Sequence, residues 1–239
     1  MSKVAMITGS SRGIGRAVAN TFAKAGFDLI LTCKSSIESL QKLAQDLEDA
    51  YGVRCLAVAA DMGKFQDVKR VFGYVTDLDV LVNNAGISYI GLLSDMSVED
   101  WQNVMHTNLD SCFYASKLAI PVMLKRHRGR IINISSVWGN VGASMEVAYS
   151  ASKGAVNSFT KALAKELAPS NIQVNAISCG VIDTDMNKCF SQEEMDNLRS
   201  EIPADRIGLP EEVAKLVLQT AQAPEYMTGQ IITIDGGWC

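Results

Sequence analysis

Short apolar runs rich in β-branched residues alternate along the whole chain with stretches whose apolar positions recur at helical spacing. The runs are continuously hydrophobic and do not alternate with polar residues, as expected of strands covered on both faces. This pattern predicts strands over 3–8, 28–33, 55–60, 79–83, 130–135, 172–178 and 230–234. Helices are predicted over 15–25, 37–49, 65–75, 98–106, 111–125, 149–167 and 211–222. Two helix starts carry capping signals: Ser97 precedes Glu99 and Asp100, and Pro210 stands in a first turn beside Glu211 and Glu212. The expected architecture is α/β, a Rossmann-type doubly wound parallel sheet of about seven strands flanked by helices on both faces. No linker, repeat or low-complexity tract interrupts it, so residues 1–239 are expected to form a single domain. The longest stretch without a strand pattern, 180–209, follows the C-terminal end of a strand and is expected to act as a substrate lid.

Composition narrows the functional classes. A hydrophobic content of 48% with 20% charged residues is that of a globular protein. A net charge of −4 gives no electrostatic reason to bind nucleic acid or an anionic membrane. The start of the chain has too short an apolar run for a signal peptide, and no segment approaches the ~18 apolar residues of a membrane span. A cytoplasmic protein is expected. The six cysteines, Cys33, Cys55, Cys112, Cys179, Cys189 and Cys239, form no C-x-x-C pair, and only His106 and His127 accompany them. They predict neither a metal site nor a disulfide framework, only reduced, small apolar side chains.

Candidate chemistry begins after the first strand, with Thr8-Gly9-Ser10-Ser11-Arg12-Gly13-Ile14-Gly15 opening the first helix. Glycines there permit positive φ and let backbone N–H groups approach a pyrophosphate, while the helix N-terminus stabilises negative charge. The Gly-x-x-x-Gly-x-Gly spacing resembles the short-chain dehydrogenase/reductase family. Matching segments run along nearly the whole chain: Asp61-Met62 after the third strand, Asn83-Asn84-Ala85-Gly86 after the fourth, Asn108, Ser136, and Tyr149-Ser150-Ala151-Ser152-Lys153. The resemblance implies that Asp61 and Met62 meet the adenine and that Asn84, Ala85 and Gly86 meet the adenosine ribose. It further implies that Lys153 binds the nicotinamide ribose with Tyr149 also against the cofactor, that Ile182 and Thr184 meet the carboxamide, and that Asn108 supports a water chain returning protons to Lys153. One departure is Cys179, which stands where most relatives have proline and so costs the following loop a rigid φ.

An acidic residue at the end of the second strand would accept hydrogen bonds from the 2′-hydroxyl of NAD and repel the extra phosphate of NADP. None is present in Leu31-Thr32-Cys33-Lys34-Ser35-Ser36. With Lys34 and Arg12 as two cations for a 2′-phosphate, NADPH is the expected cofactor.

Tyr149 and Lys153 are four residues apart and share a face if helical. An ammonium beside a phenol favours the phenolate, so a lowered pKa is expected for Tyr149, which would act as proton donor to a developing alkoxide. Ser136, at the C-terminal edge of a strand, is expected to polarise the carbonyl oxygen. The reaction implied is reduction of a ketone to a secondary alcohol.

Which ketone is less determined. Chain length, Tyr-x-x-x-Lys and Asp235-Gly236-Gly237 resemble the 3-oxoacyl-carrier-protein reductase branch, and the basic run Lys125-Arg126-His127-Arg128-Gly129-Arg130 suggests a dock for an acidic acyl carrier protein. Ser170, where such reductases often carry a basic residue, speaks against it. The stretch from Ser135 to Tyr149 is similar instead to enzymes that reduce a 5-aminopentanone group on elongation factor P. There Glu146 would pair with the substrate ammonium, and Met186 would lie nearby. A dinucleotide-binding regulator on the same fold is the non-enzymatic alternative. Apolar C-terminal residues, Ile231, Ile232 and Trp238, suggest a homo-oligomer, a tetramer or dimer.

Overall fold

The computed structural model describes residues 2–188 and 190–239, so Cys189 lies outside the described residues. Seven parallel strands form one sheet in the order β3-β2-β1-β4-β5-β6-β7. They are β1 (Val4–Ile7), β2 (Asp28–Cys33), β3 (Cys55–Ala59), β4 (Val80–Asn83), β5 (Gly129–Ser136), β6 (Ile172–Cys179) and β7 (Ile231–Ile234). The order runs outward in both directions from β1 and β4, so the crevice between their C-terminal ends is the topological switch point where open α/β sheets bind ligands.

Neighbouring residues of one strand serve opposite layers. Ile7, Leu31 and Ile132 face one core with α1 (Gly13–Lys24), α2 (Ile37–Tyr51) and α9 (Pro210–Ala221), where Phe22, Leu43 and Val213 are buried. Met6, Leu81 and Ile131 face the other, with α3 (Phe65–Phe72), α5 (Ser111–Leu124) and α7 (Val147–Leu167), where Val68, Ala119 and Leu163 are buried. This period of two explains why the strands read as unbroken apolar runs. The cysteines Cys33, Cys55, Cys112, Cys179 and Cys239 are all free thiols. No helix among the described residues is long and apolar enough to cross a membrane.

Both capping signals are realised: the Ser97 hydroxyl accepts the Asp100 N–H at the start of α4 (Val98–Met105), and Pro210 opens α9. Three features depart from the expected pattern. A π-turn, His106–Asp110, joins α4 to α5. A one-turn helix, α6 (Trp138–Val141), follows β5. Within 180–209 lies α8 (Gln192–Glu201), and Ile182 bridges to Gly208, pinning the two ends of that segment together. α8 has no buried residue, so it lacks the apolar face that periodicity detects, but Ser191 and Glu194 close a capping box at its start.

At the entry to β2, Asp28 is buried and accepts hydrogen bonds from the Arg54 backbone (2.9 Å), Arg54 Nη2 (2.6 Å) and Ser2 Oγ (2.5 Å). Burial alone would raise its pKa, but these donors outweigh it and hold the carboxyl below its ordinary 3.8. A depressed carboxylate stabilises the fold above that ordinary value and loses the contribution as pH falls through the folded value. Asp28→Asn is therefore expected to cost about 1–2 kcal/mol at neutral pH in chemical denaturation, with the gap to wild type closing as the titration is carried below pH 3.8.

Candidate active site

At the switch point the turn after β1 and the loop after β4 are tied together. Thr8 Oγ1 accepts the N–H groups of Asn84 and Ala85, both at 3.0 Å. Asn84 Nδ2 donates in return to the carbonyls of Thr8 (2.9 Å) and Gly9 (3.0 Å). The amide nitrogen of Asn84 is thus spent on buttressing the turn. Glycine is required at Gly15, where a Cβ would lie 2.3 Å from the Gly9 carbonyl oxygen. Ser10 turns inward, its buried hydroxyl bonded to the Ile7 and Thr32 carbonyls, so it shapes the turn and offers nothing outward. Ser11 and Ile14 are half-buried, and Ile14 packs against the core.

α1 starts at Gly13 with no capping side chain and no acid in its first turn. Its free N–H groups and positive dipole end therefore suit an anion such as a pyrophosphate. The Thr184 methyl lies 3.3 Å from where a Gly13 Cβ would be, so the loop after β6 closes over this turn. Beside it, a cavity of about 690 Å³ opens between α1, the loop after β6, α8 and the start of α9, lined by Gly13, Asn20, Thr184, Lys188, Arg199 and Glu211, among others. The glycine-rich turn and the uncapped start of α1 fit the pyrophosphate of a dinucleotide.

The residues expected around the adenosine are partly engaged with one another. Lys34 Nζ lies 3.0 Å from Asp61 Oδ2, and Asp61 also accepts the Gly63 N–H. Met62 is buried in the core, so its side chain packs there and not on an adenine. Arg12 is mostly exposed, with only a loose contact of 3.9 Å to Asp185.

The catalytic candidates converge at the same sheet edge. Ser136 is the last residue of β5, and its Oγ accepts the Trp138 N–H at 3.2 Å, which leaves the hydroxyl proton to point elsewhere. Tyr149 and Lys153 share a face of α7. The Lys153 amine is buried, donates to the Ile134 carbonyl at 2.8 Å and sits 5.5 Å from the centre of the Tyr149 ring. A Cβ on Gly86 would lie 3.5 Å from that amine, so glycine there keeps space beside it.

Burial depresses the Lys153 pKa. Burial also raises the Tyr149 pKa above its ordinary 10.0, reinforced by Cys179 and Glu146 and opposed by a hydrogen bond with Ser136. The lowered phenol pKa expected from the Tyr-x-x-x-Lys spacing is therefore corrected. The amine is bonded to a backbone carbonyl and lies over the ring face, so it does not offset the desolvation of a phenolate. The phenol holds its proton at neutral pH.

Asn108 lies in the π-turn with both ends of its side-chain amide engaged. Its Oδ1 accepts the Ile87 N–H (2.8 Å), and its Nδ2 donates to the Ile87 carbonyl (2.9 Å) and Ser152 Oγ (3.0 Å). It ties the loop after β4 to α7 one residue before Lys153. π-turns inside helices are frequent at functional sites.

A model of the short chain dehydrogenase family matches residues 3–195. The chain belongs to the short chain dehydrogenase family. It is 40% identical to a 3-oxoacyl-[acyl-carrier-protein] reductase of Aquifex aeolicus, over 98% of this chain and 96% of that one. An uncharacterized oxidoreductase of Bacillus subtilis is 37% identical over 100% of this chain and 99% of its own. Among solved structures, YwfH, an NADPH-dependent reductase involved in bacilysin biosynthesis, superposes with a TM-score of 0.93 at 26% identity, covering 100% of this chain and 99% of that one. This short chain dehydrogenase is an oxidoreductase acting on hydroxyl or keto groups, which removes the regulator alternative.

Three expectations about the dehydrogenase's site change. Cys179 lies inside β6, paired with Ser136 on one side and Ile234 on the other, so the sheet fixes the backbone that a proline ring would otherwise fix. Burial pushes its thiol up to about 12, and it is no nucleophile at neutral pH. The basic run lies at the N-terminal end of β5, roughly 23 Å from Ser136 along the strand. There Arg126 pairs with Asp77 and Asp79, and Arg128 with Asp79, so two of its four cations are engaged and the patch is remote from the site. Glu146 is not poised for a substrate ammonium: its two oxygens accept from Ser88 Oγ (2.6 Å) and Trp138 Nε1 (3.2 Å). Ile182 is buried in its bridge to Gly208, whereas Met186 is exposed in a short 3-10 turn of the lid segment.

Sequence reading missed Gly139 and Trp138. A Cβ on Gly139 would lie 2.7 Å from the Lys153 carbonyl carbon, so α6 rests directly on the backbone that carries the lysine. A glycine three residues after a serine gives no local signal of that contact. Tyr149→Phe removes the phenol hydroxyl, and with it both the held proton and the hydrogen bond with Ser136: kcat for ketone reduction is expected to fall at least about 100-fold, while nucleotide affinity, read by fluorescence titration, changes far less.

Proposed function

We propose that this dehydrogenase reduces the ketone of a 3-oxoacyl thioester, carried on an acyl carrier protein, to a secondary alcohol with NADPH as reductant. The observation that carries the reading is the meeting of Ser136, Tyr149 and Lys153 at the sheet edge that also holds the glycine-rich turn. The 40% identity to a 3-oxoacyl-[acyl-carrier-protein] reductase over nearly the full length supports the substrate class.

Bound NADPH would supply the hydride. Gly9, Ser11, Arg12, Gly13 and Gly15 would hold its pyrophosphate through backbone N–H groups, with Ile14 behind them and Ser10 bracing the turn. Asp61, the Met62 backbone, Asn84, Ala85 and Gly86 would line the adenosine, and Ile182 and Thr184 would flank the nicotinamide end. Ser136 donates to the carbonyl oxygen, and Tyr149 gives its proton to the oxygen as negative charge develops there. Lys153 would bind the nicotinamide ribose, and Asn108 would anchor the water path that resupplies protons to the amine. Assembly as a homo-oligomer is consistent with an unpaired β7 edge and with Val98 and Phe113 exposed on α4 and α5.

NADPH preference rests on the cation that replaces an acid after β2. A 2′-phosphate would compete with Asp61 for Lys34, and Arg12 is free enough to join it. Lys34→Asp is expected to weaken NADPH affinity at least tenfold, by about 1.4 kcal/mol or more, and to leave NADH affinity unchanged or improved. An equal preference in both proteins would remove the assignment.

A second reading, reduction of a 5-aminopentanone group on elongation factor P, is favoured by the charge around the cleft. The lid segment's α8 carries Glu193, Glu194, Asp196 and Glu201 against Arg199, an acidic excess that would suit a cationic substrate. NADPH oxidation on acetoacetyl thioester and on a small aminoketone, measured side by side, separates the two. Higher kcat/KM on the thioester is the expected result, and higher kcat/KM on the aminoketone would replace the first reading with the second.

A further inference from the structure

Three segments distant in the chain meet beside Ser136. Glu146, just before α7, accepts from Ser88 in the loop after β4 and from the indole of Trp138 on α6. The neighbouring Met145 carbonyl accepts the Gly91 N–H at 2.8 Å, a second tie to that loop. Met145 has φ 63°, costly for a residue other than glycine and kept only where surrounding contacts enforce it. The indole of Trp138 packs against Trp238, with ring centres 4.8 Å apart and planes tilted by 58°. Trp238 is set by a fastened tail. Asp235 accepts the N–H groups of Gly237 and Cys239, both at 2.9 Å, and the Gly236 carbonyl accepts the Ala204 N–H just beyond α8.

We propose that Glu146 is a positioning residue that latches Trp138 against Trp238, and that this indole pair walls the substrate cleft along the chain adjoining the ketone. The proposal rests on the ketoreductase reading and names a determinant of specificity within it. Trp138 also holds Ser136 Oγ through its N–H, so the wall and the carbonyl-polarising hydroxyl share one residue.

The chemistry of the latch distinguishes it from an ion pair with a cationic substrate. An indole N–H needs only an acceptor, which a carboxamide oxygen supplies as well as a carboxylate oxygen does. A serine hydroxyl can either donate or accept, so it can turn to receive the carboxamide N–H. Glutamine can therefore keep both bonds, whereas it would forfeit any ion pair. Charge is dispensable to the latch; length and hydrogen-bonding capacity are not.

The test uses Glu146→Gln, Glu146→Ala and Trp238→Phe in the full chain. It reads the far-ultraviolet exciton couplet of the indole pair, together with KM and kcat for the ketone at saturating NADPH. The chain has three tryptophans and Trp101 is not in the pair, so loss of the couplet in Trp238→Phe assigns it. The expected results are a couplet in wild type and Glu146→Gln, reduced in Glu146→Ala. KM is expected to rise about tenfold in Glu146→Ala with kcat within about twofold, while Glu146→Gln stays near wild type. Absence of the couplet in wild type, an unchanged KM and couplet in Glu146→Ala, or equal loss in Glu146→Gln and Glu146→Ala would overturn the proposal. If Glu146→Ala does not fold, Ser88→Ala replaces it, with the same direction expected for couplet and KM. If no ketone is reduced, the proposed activity fails, while the couplet series still decides the latch.

Discussion

The structure turns on one buried amine. Removing an ammonium from water costs several kcal/mol unless partners compensate, and Lys153 has a carbonyl at 2.8 Å and the face of one aromatic ring at 5.5 Å. The depressed pKa of the lysine records that incomplete compensation. Its position is set from two sides. β5 delivers the Ile134 carbonyl two residues before Ser136, and the bare Cα of Gly139 lets α6 rest on the Lys153 backbone. Strand, one-turn helix and α7 must all be in place before amine, phenol and hydroxyl can meet.

The same sheet edge places the cofactor cradle beside the proton donors. Strand order reverses between β1 and β4, and Thr8 with Asn84 fastens their two loops. Asn108 then carries the connection from Ile87 to Ser152, from the dinucleotide side to the helix bearing Tyr149 and Lys153. A π-turn is what brings that asparagine into register in the middle of an otherwise regular pair of helices. The route from sequence to function thus passes through backbone hydrogen bonds at a crevice created by topology.

Much of this was legible in the sequence because the relevant signals are local. Strand boundaries follow the apolar runs to within about two residues, Ser97 and Pro210 mark real helix starts, and the spacing of Tyr149 and Lys153 places them on one helical face. What escaped depends on partners far along the chain. The basic run reads as a free docking patch until Asp77 and Asp79 are seen to hold Arg126 and Arg128. Lys34 reads as a free cation until Asp61 is found beside it. Glu146 reads as a lone acid until Ser88, 58 residues away, and Trp138 occupy its oxygens. The direction of the Tyr149 shift failed for the same reason, since spacing reveals a nearby cation but not how deeply the phenol is buried.

The central claim is that burial keeps this phenol protonated as a ready acid. The most direct measurement is an NMR titration of tyrosine ring carbons in the cofactor-free protein, with Tyr149 assigned by its missing signal in a Tyr149→Phe variant. The expected result is a Tyr149 resonance that stays in its phenol position up to pH 10.0, the ordinary midpoint for tyrosine. A midpoint below that value would contradict the claim and make the amine, not burial, the dominant influence on the site.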